Sequence, residues 1–492
     1  MSIDIAPYQN LLRTVRIRPS TQGDRPSVVQ SGSDRGRIVF SSAFRRLQQK
    51  AQVFPLDRND AVRTRLTHSL EVAHTGRYLA QEILFRLSKA SGKAYLDSWL
   101  FEHEQVFTDI VEAACLIHDI GNPPFGHFGE AAIRDWFVES GRAKFRWFAK
   151  RNGVDKSAVD QYLAGEYLDF LAFDGNPQGL RLVTKLQGDD GATALNLTLP
   201  LLMAYLKYTC LPDSSKLVNP AGISKKPGFF STEADIIDKA IAELGMKSGA
   251  RHPLSYIMEA ADDISYCMSD IEDGIEKGVI NVDRLFADVA VAWKKKREDN
   301  PKLTENFVDD LIKKSKEVSA IGAFTTFKTT IINTAVKHAA KVYCADHEEM
   351  ISGCHKGLIR GESDIVSLFG VIKDFVRRTV FRSREAESVE LAGYSTIKGL
   401  FDCFSPLLML PPETFKGLVH GKNDDNQDYC LRLVNKLSEK SRAVYKVGTR
   451  KKLTPEQEWH LRAHLLVDYI SGMTDHFAVS TYQLLAGIKI ET

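Results

Sequence analysis

Apolar residues recur along this chain at spacings of three and four, and the two-residue alternation of strands is scarce. The pattern predicts an all-α protein. Residues 110–117 form a mostly apolar run, which reads as a buried helix whose last turn presents His118 and Asp119. Gly121, Pro123 and Pro124 then end that helix abruptly. In residues 34–54, Ile38, Phe40, Phe44 and Leu47 supply one apolar face, with Arg45, Arg46 and Lys50 close together beside it. That basic turn reads as a solvated face or a contact for phosphate. Leu66, Leu70, Ala73, Leu79 and Ala80 mark a further helix, capped by Asp60 or Thr64.

Residues 131–170 are aromatic and basic (Trp136, Phe145, Trp147, Phe148) and read as surface helices, with a short helix over 160–171. Gly175-Asn176-Pro177 marks a tight turn, and residues 187–192 a polar loop. An apolar stretch, 195–208, ends in Lys207-Tyr208, and residues 220–230 read as a loop. Pro253 opens a long helix whose C-terminal glycine is Gly278. Beyond about residue 285 amphipathic helices follow one another, with solvated basic runs at 294–297 and 313–316. The last part, 468–478, reads as a short acidic turn after an apolar helix. The first thirty-odd residues look like an arm. Three regions result: an arm (1–33), a core (34–285) and a C-terminal helical region (286–492).

Composition narrows the class without choosing a function. The chain has 492 residues, 43% hydrophobic and 26% charged, with a net charge of +2. That is ordinary for a globular protein and argues by itself for neither nucleic acid nor membrane. Seven scattered cysteines form no C-x-x-C pair and read as reduced thiols, neither a disulfide framework nor a zinc cage. No apolar stretch approaches the roughly 20 residues that span a bilayer. The start carries no basic and apolar leader, so a cytoplasmic protein is expected.

The candidate chemistry sits on the helices. A neutral imidazole beside a carboxylate at a buried helix end, His118-Asp119, is the equipment of a divalent-metal site. His127 and Glu130 follow within twelve residues. His68 precedes by fifty residues; His74, six residues after it, points to a different helix face and reads as a core or surface histidine. On the Pro253 helix, Glu259, Asp262, Tyr266 and Asp270 fall on one stripe among Leu254, Ile257, Ala261, Ile264 and Met268. A carboxylate so placed is buried only if paired or bound to metal.

His68, His118-Asp119 and Asp262, in this order, resemble the metal set of the HD phosphohydrolase superfamily. Residues 34–54, 63–77, 115–130, 173–181, 253–274 and 468–478 further resemble the deoxynucleoside triphosphate triphosphohydrolases, in their bacterial deoxyguanosine triphosphatase-like branch. The resemblance implies an all-α HD-domain core with additional C-terminal helices. It implies one divalent ion, Mn2+ or Mg2+, held by His68, His118, Asp119 and Asp262. The implied reaction hydrolyses a dNTP, with dGTP the first candidate, to the deoxynucleoside and intact triphosphate. His127 and Glu130 match the family's acid-base pair. Gln52 and Asp270 match contacts to the sugar 3′-hydroxyl, Tyr266 the aromatic packed on the sugar, and Lys207 and Asn176 polar positions near phosphates and sugar. Core packing is the competing account of Tyr266. Ring-like hexamers and a single-stranded DNA or nucleotide effector are implied as partners, and no membrane.

Two other functions fit the same residues. One is a different HD nucleotide phosphohydrolase, a monophosphatase or phosphodiesterase. The other is a nucleic-acid-binding regulator with an inactive HD pocket, which the basic runs suit and the complete residue set opposes.

Overall fold

The computed structural model describes residues 3–21, 25–57, 59–188, 194–212, 226–317, 322–381, 384–423 and 426–489. Parts of the expected arm, of the 187–192 loop and of the 220–230 loop lie outside these. Among the described residues the chain is helical without a β-strand; two isolated bridges, Arg16 with Thr198 and Ala51 with Thr64, are the extended pairings. No described helix is long and apolar enough to cross a membrane.

Three long helices frame the centre. Arg65–Ser91 begins at Thr64, whose hydroxyl accepts from the Thr67 amide while Thr67 reaches back, a reciprocal cap. Glu104–Ile117 packs along it and carries the apolar run, with Val111, Ala114 and Ile117 fully buried. Pro253–Glu276 crosses both, with Pro253 in its first turn and Gly278 in left-handed conformation just beyond its end. Their shared faces belong to one apolar core, which also takes in Tyr8 and Leu12 of the expected arm. Tyr8 lies on a short helix, Tyr8–Leu11, and its hydroxyl meets that of Tyr343.

A second apolar core gathers aromatic residues far apart in sequence. Trp136, Phe145 and Phe148 are fully buried in it beside Trp459, so the helices expected at the surface are interior; Trp147 alone of the four stays largely exposed. Their basic residues line the outer face, so the polar pattern was that of a half-buried helix. Phe40, expected on the apolar face of residues 34–54, is 82% exposed. Lys50, expected in a solvated basic turn, is buried. The expected turn at Gly175 is instead a helix, Gly175–Arg181, because the Asp174 side chain accepts from the Asn176 amide and caps it.

Candidate metal and acid-base site

The end of the Glu104–Ile117 helix is fixed before any ligand is considered. Gly121 passes so close to the Gly175–Arg181 helix that an added Cβ would lie 2.1 Å from the Gly175 carbonyl oxygen and the Gly179 nitrogen. Phe125 then takes a left-handed conformation, φ 62°, unusual for an aromatic residue, and its amide donates to Asp475 Oδ1 at 3.1 Å. Lys50 reaches the same loop: its Nζ donates to the Asn122 carbonyl at 2.6 Å and to that of Ser471 at 3.0 Å. Burial, with Arg46 nearby, lowers the Lys50 pKa to about 7.

His118 Nδ1 lies 2.7 Å from the Cys115 carbonyl oxygen. A carbonyl only accepts, so Nδ1 carries a proton, and in the neutral ring Nε2 presents a lone pair. That buried Nε2 has no hydrogen-bond partner. It stands 3.5 Å from Asp262 Oδ1, and His68 Nε2 stands 3.3 Å from the same oxygen. A lone pair facing a carboxylate oxygen without a proton between them is repulsive unless a cation lies there. Ligand atoms sharing a cation at about 2.1 Å stand roughly 3.0 Å (octahedral) to 3.4 Å (tetrahedral) apart, close to the spacing here, so the donor set fits a metal ion. Burial would raise the Asp262 pKa, but positive charge beside it, on His118 and His68 when those rings are protonated, holds it well below the usual carboxylate range.

Asp119 stands beside this trio, with Oδ1 at 3.6 Å from His118 Nε2. Arg65 Nη1 donates to Oδ2 at 2.5 Å, and Asn122 Nδ2 donates to Oδ1 at 2.7 Å. Despite burial, Arg65 first and then the imidazoles lower its pKa. Asp263, next to Asp262, turns away and pairs with Lys373 at 2.9 Å.

The Gly126–Trp136 helix carries the second pair. Glu130 is buried. Its Oε2 lies 2.9 Å from His127 Nδ1, and its Oε1 accepts from the Gly175 amide at 2.8 Å. Burial would raise the Glu130 pKa, but the His127 hydrogen bond and charge hold it below its ordinary value.

The remaining expected residues divide by environment. Both Asp270 oxygens and Gln52 Oε1 are buried without a hydrogen-bond partner. Burial drives the Asp270 pKa up to about 8, with His68 opposing. Tyr266 lies one helical turn from both Asp262 and Asp270, its ring stacked on Phe381. Lys207 pairs with Glu259 at 3.6 Å, which also binds Arg251 at 2.8 Å. The Asn176 side chain donates to Asp174 at 2.6 Å. Lys50, Asn122 and Asp475 shape the site without having been legible as site residues; no local pattern marks them.

Residues 65–162 match the HD domain family and residues 417–484 the phosphohydrolase-associated domain. The deoxyguanosinetriphosphate triphosphohydrolase of Klebsiella pneumoniae (strain 342) is 37% identical over 99% of both chains. Those of Yersinia enterocolitica (serotype O:8 / biotype 1B) and Yersinia pestis (strain Pestoides F) are each 38% identical, over 95% of this chain and 96% of theirs.

Proposed function

Because the chain belongs to the deoxyguanosinetriphosphate triphosphohydrolase family, we propose that it hydrolyses dNTPs, dGTP first, to the deoxynucleoside and inorganic triphosphate. The observation that carries this reading is the lone pair of His118 Nε2 facing Asp262 Oδ1 at 3.5 Å, beside the His127–Glu130 pair. His68, His118, Asp119 and Asp262 would hold one Mn2+ or Mg2+. When bound, the ion supplies Lewis-acid stabilisation of phosphoryl charge.

The chain's own groups supply the rest. Glu130 accepts the Nδ1 proton of His127, which leaves Nε2 to give a proton to the leaving deoxynucleoside oxygen or take one from water. Arg65 keeps Asp119 ionised and oriented. Lys207 supplies positive charge for the phosphates, and Asn176 a polar contact near them. Gln52 Oε1 and Asp270, each short of a partner, suit the 3′-hydroxyl of the sugar. Tyr266 closes the space a 2′-hydroxyl would need.

Incubation with each of the four dNTPs and Mn2+ or Mg2+, with products identified, tests this. Triphosphate and deoxynucleoside sustain the proposal. Orthophosphate from a monophosphate, or cleavage of a diester alone, assigns a different HD phosphohydrolase; no turnover with nucleic-acid binding assigns the inactive regulator. A hexameric assembly and a single-stranded DNA or nucleotide effector belong to the same proposal. Native mass measured with and without an oligonucleotide tests them.

A further inference from the structure

A second group of imidazoles lies in the aromatic core, where none of the proposed chemistry reaches. His460 and His464 are one turn apart on the Pro455–Ser471 helix, and Asp169 lies in the first turn of the short Leu168–Leu171 helix that faces them. All three are buried. Both imidazoles converge on one oxygen: Asp169 Oδ2 lies 3.5 Å from His460 Nε2 and 3.4 Å from His464 Nε2. The ligand atoms of the three residues all fall within 4.8 Å of one another.

Hydrogen bonding accounts for this arrangement only in part, since His464 Nε2 reaches Asp169 Oδ2 at 3.4 Å and His460 Nε2 reaches the Ser231 hydroxyl at 3.5 Å, both long contacts. Asp169 Oδ2 already accepts from the Ser231 hydroxyl at 2.6 Å and the Ser231 amide at 3.0 Å. Two lone pairs are then used, and the imidazoles stand well beyond the roughly 2.9–3.0 Å typical of N–H···O bonds. Their spacing is instead the edge of a tetrahedron around an ion with ligands at about 2.1 Å. His460 Nδ1 is 3.1 Å from the Tyr162 hydroxyl, the kind of outer contact that orients a ligating imidazole.

We propose that Asp169, His460 and His464 form a second divalent-metal site, of the zinc class, separate from the HD centre. Two neutral imidazoles and a carboxylate are ligands that zinc accepts. The site has an entrance: His460 and Ser231 line a cavity of about 550 Å3 that also receives Arg181, Lys185 and Lys451. A water or a small anion from that cavity completes the coordination. The ion ties the Pro455–Ser471 helix to the Leu168–Leu171 segment across almost 300 residues of sequence.

The test uses full-length protein stripped by chelator, in which His118→Ala and Asp262→Ala together disable the HD centre. Titration with Co2+ is expected to give one equivalent per chain and the intense visible absorption of tetrahedral coordination, bleached by Zn2+. Adding His464→Asn or Asp169→Asn should abolish both. X-ray absorption on the cobalt-loaded protein should show two imidazoles. No bound cobalt in the doubly substituted protein overturns the proposal, as does undiminished binding after His464→Asn. Should the further substitutions prevent folding, seen by circular dichroism, the imidazole count in the doubly substituted protein decides: two imidazoles sustain it, and fewer overturn it.

Discussion

Glu130 lies 2.9 Å from Nδ1 of His127, a buried carboxylate beneath a ring that is 84% exposed. The pair joins a fixed, buried acceptor to a ring open to solvent. His127→Ala is expected to keep its metal and bind dNTP while losing about a hundredfold or more in turnover. Glu130→Gln should lose less, because the amide still meets the ring but no longer favours its charge. Metal analysis and nucleotide binding, measured beside steady-state rates, check this. Metal loss in His127→Ala would make His127 a ligand.

His118→Ala and Asp262→Ala each remove an atom of the convergent trio. Metal content should fall to background, and turnover by at least the roughly 10–100-fold that outer-shell changes cost. Circular dichroism should show the fold retained. Asp263→Ala is the control, because its carboxylate faces Lys373 and not the imidazoles. Elemental analysis of the three proteins, with equal metal in all of them as the contrary result, decides the assignment.

Tyr266 stands between Asp262 and Asp270 on the same helix face. If its ring excludes a 2′-hydroxyl by contact, dGTP is hydrolysed well and GTP poorly. Shortening the side chain in Tyr266→Ala should raise GTP turnover relative to dGTP by roughly tenfold or more. Equal use of GTP and dGTP by the unaltered protein would leave Tyr266 as packing alone.

Asp270 carries a pH signature. Its folded pKa of about 8 exceeds the roughly 3.9 of an unfolded chain. Between those values the native state holds the extra proton, so stability falls as pH rises through the window. The contribution is complete below about pH 4 and gone above about pH 8. Asp270→Asn mimics the protonated form and should flatten that slope. Melting temperatures of chelator-treated protein from pH 4 to 9 provide the comparison; parallel curves would mean that Asp270 ionises normally.

Features set by local sequence were legible, and features set by distant partners were not. The apolar run to Ile117 followed by glycine and two prolines marks a helix end within a dozen residues, so His118-Asp119 stood out. Asp262 stood out because acids are rare on an apolar helix face. The Thr64 cap was readable as one of two choices. Lys50 was misread because the carbonyls that bury it belong to Asn122 and Ser471, which no window around Lys50 contains. Phe145 and Phe148 were placed outside because their partner Trp459 lies some 300 residues on. The turn at Gly175 was misjudged because Asn-Pro outweighed the Asp174 cap. His460 and His464 did carry a visible signal, the four-residue spacing of two imidazoles on one helix, but their third neighbour, Asp169, was not predictable from it.

The bond from the Phe125 amide to Asp475, and those from Lys50 to Asn122 and Ser471, also set an order of events during synthesis. The loop bearing His127 leaves the ribosome long before residues 471–475 exist. At about 5–20 residues per second, roughly twenty seconds to a minute separates the two. Throughout that interval the left-handed turn at Phe125 lacks its carboxylate and Lys50 lacks one of its carbonyls. A nascent chain thus carries an unfinished His127 loop, and completion of the proposed centre is among the last steps of its maturation.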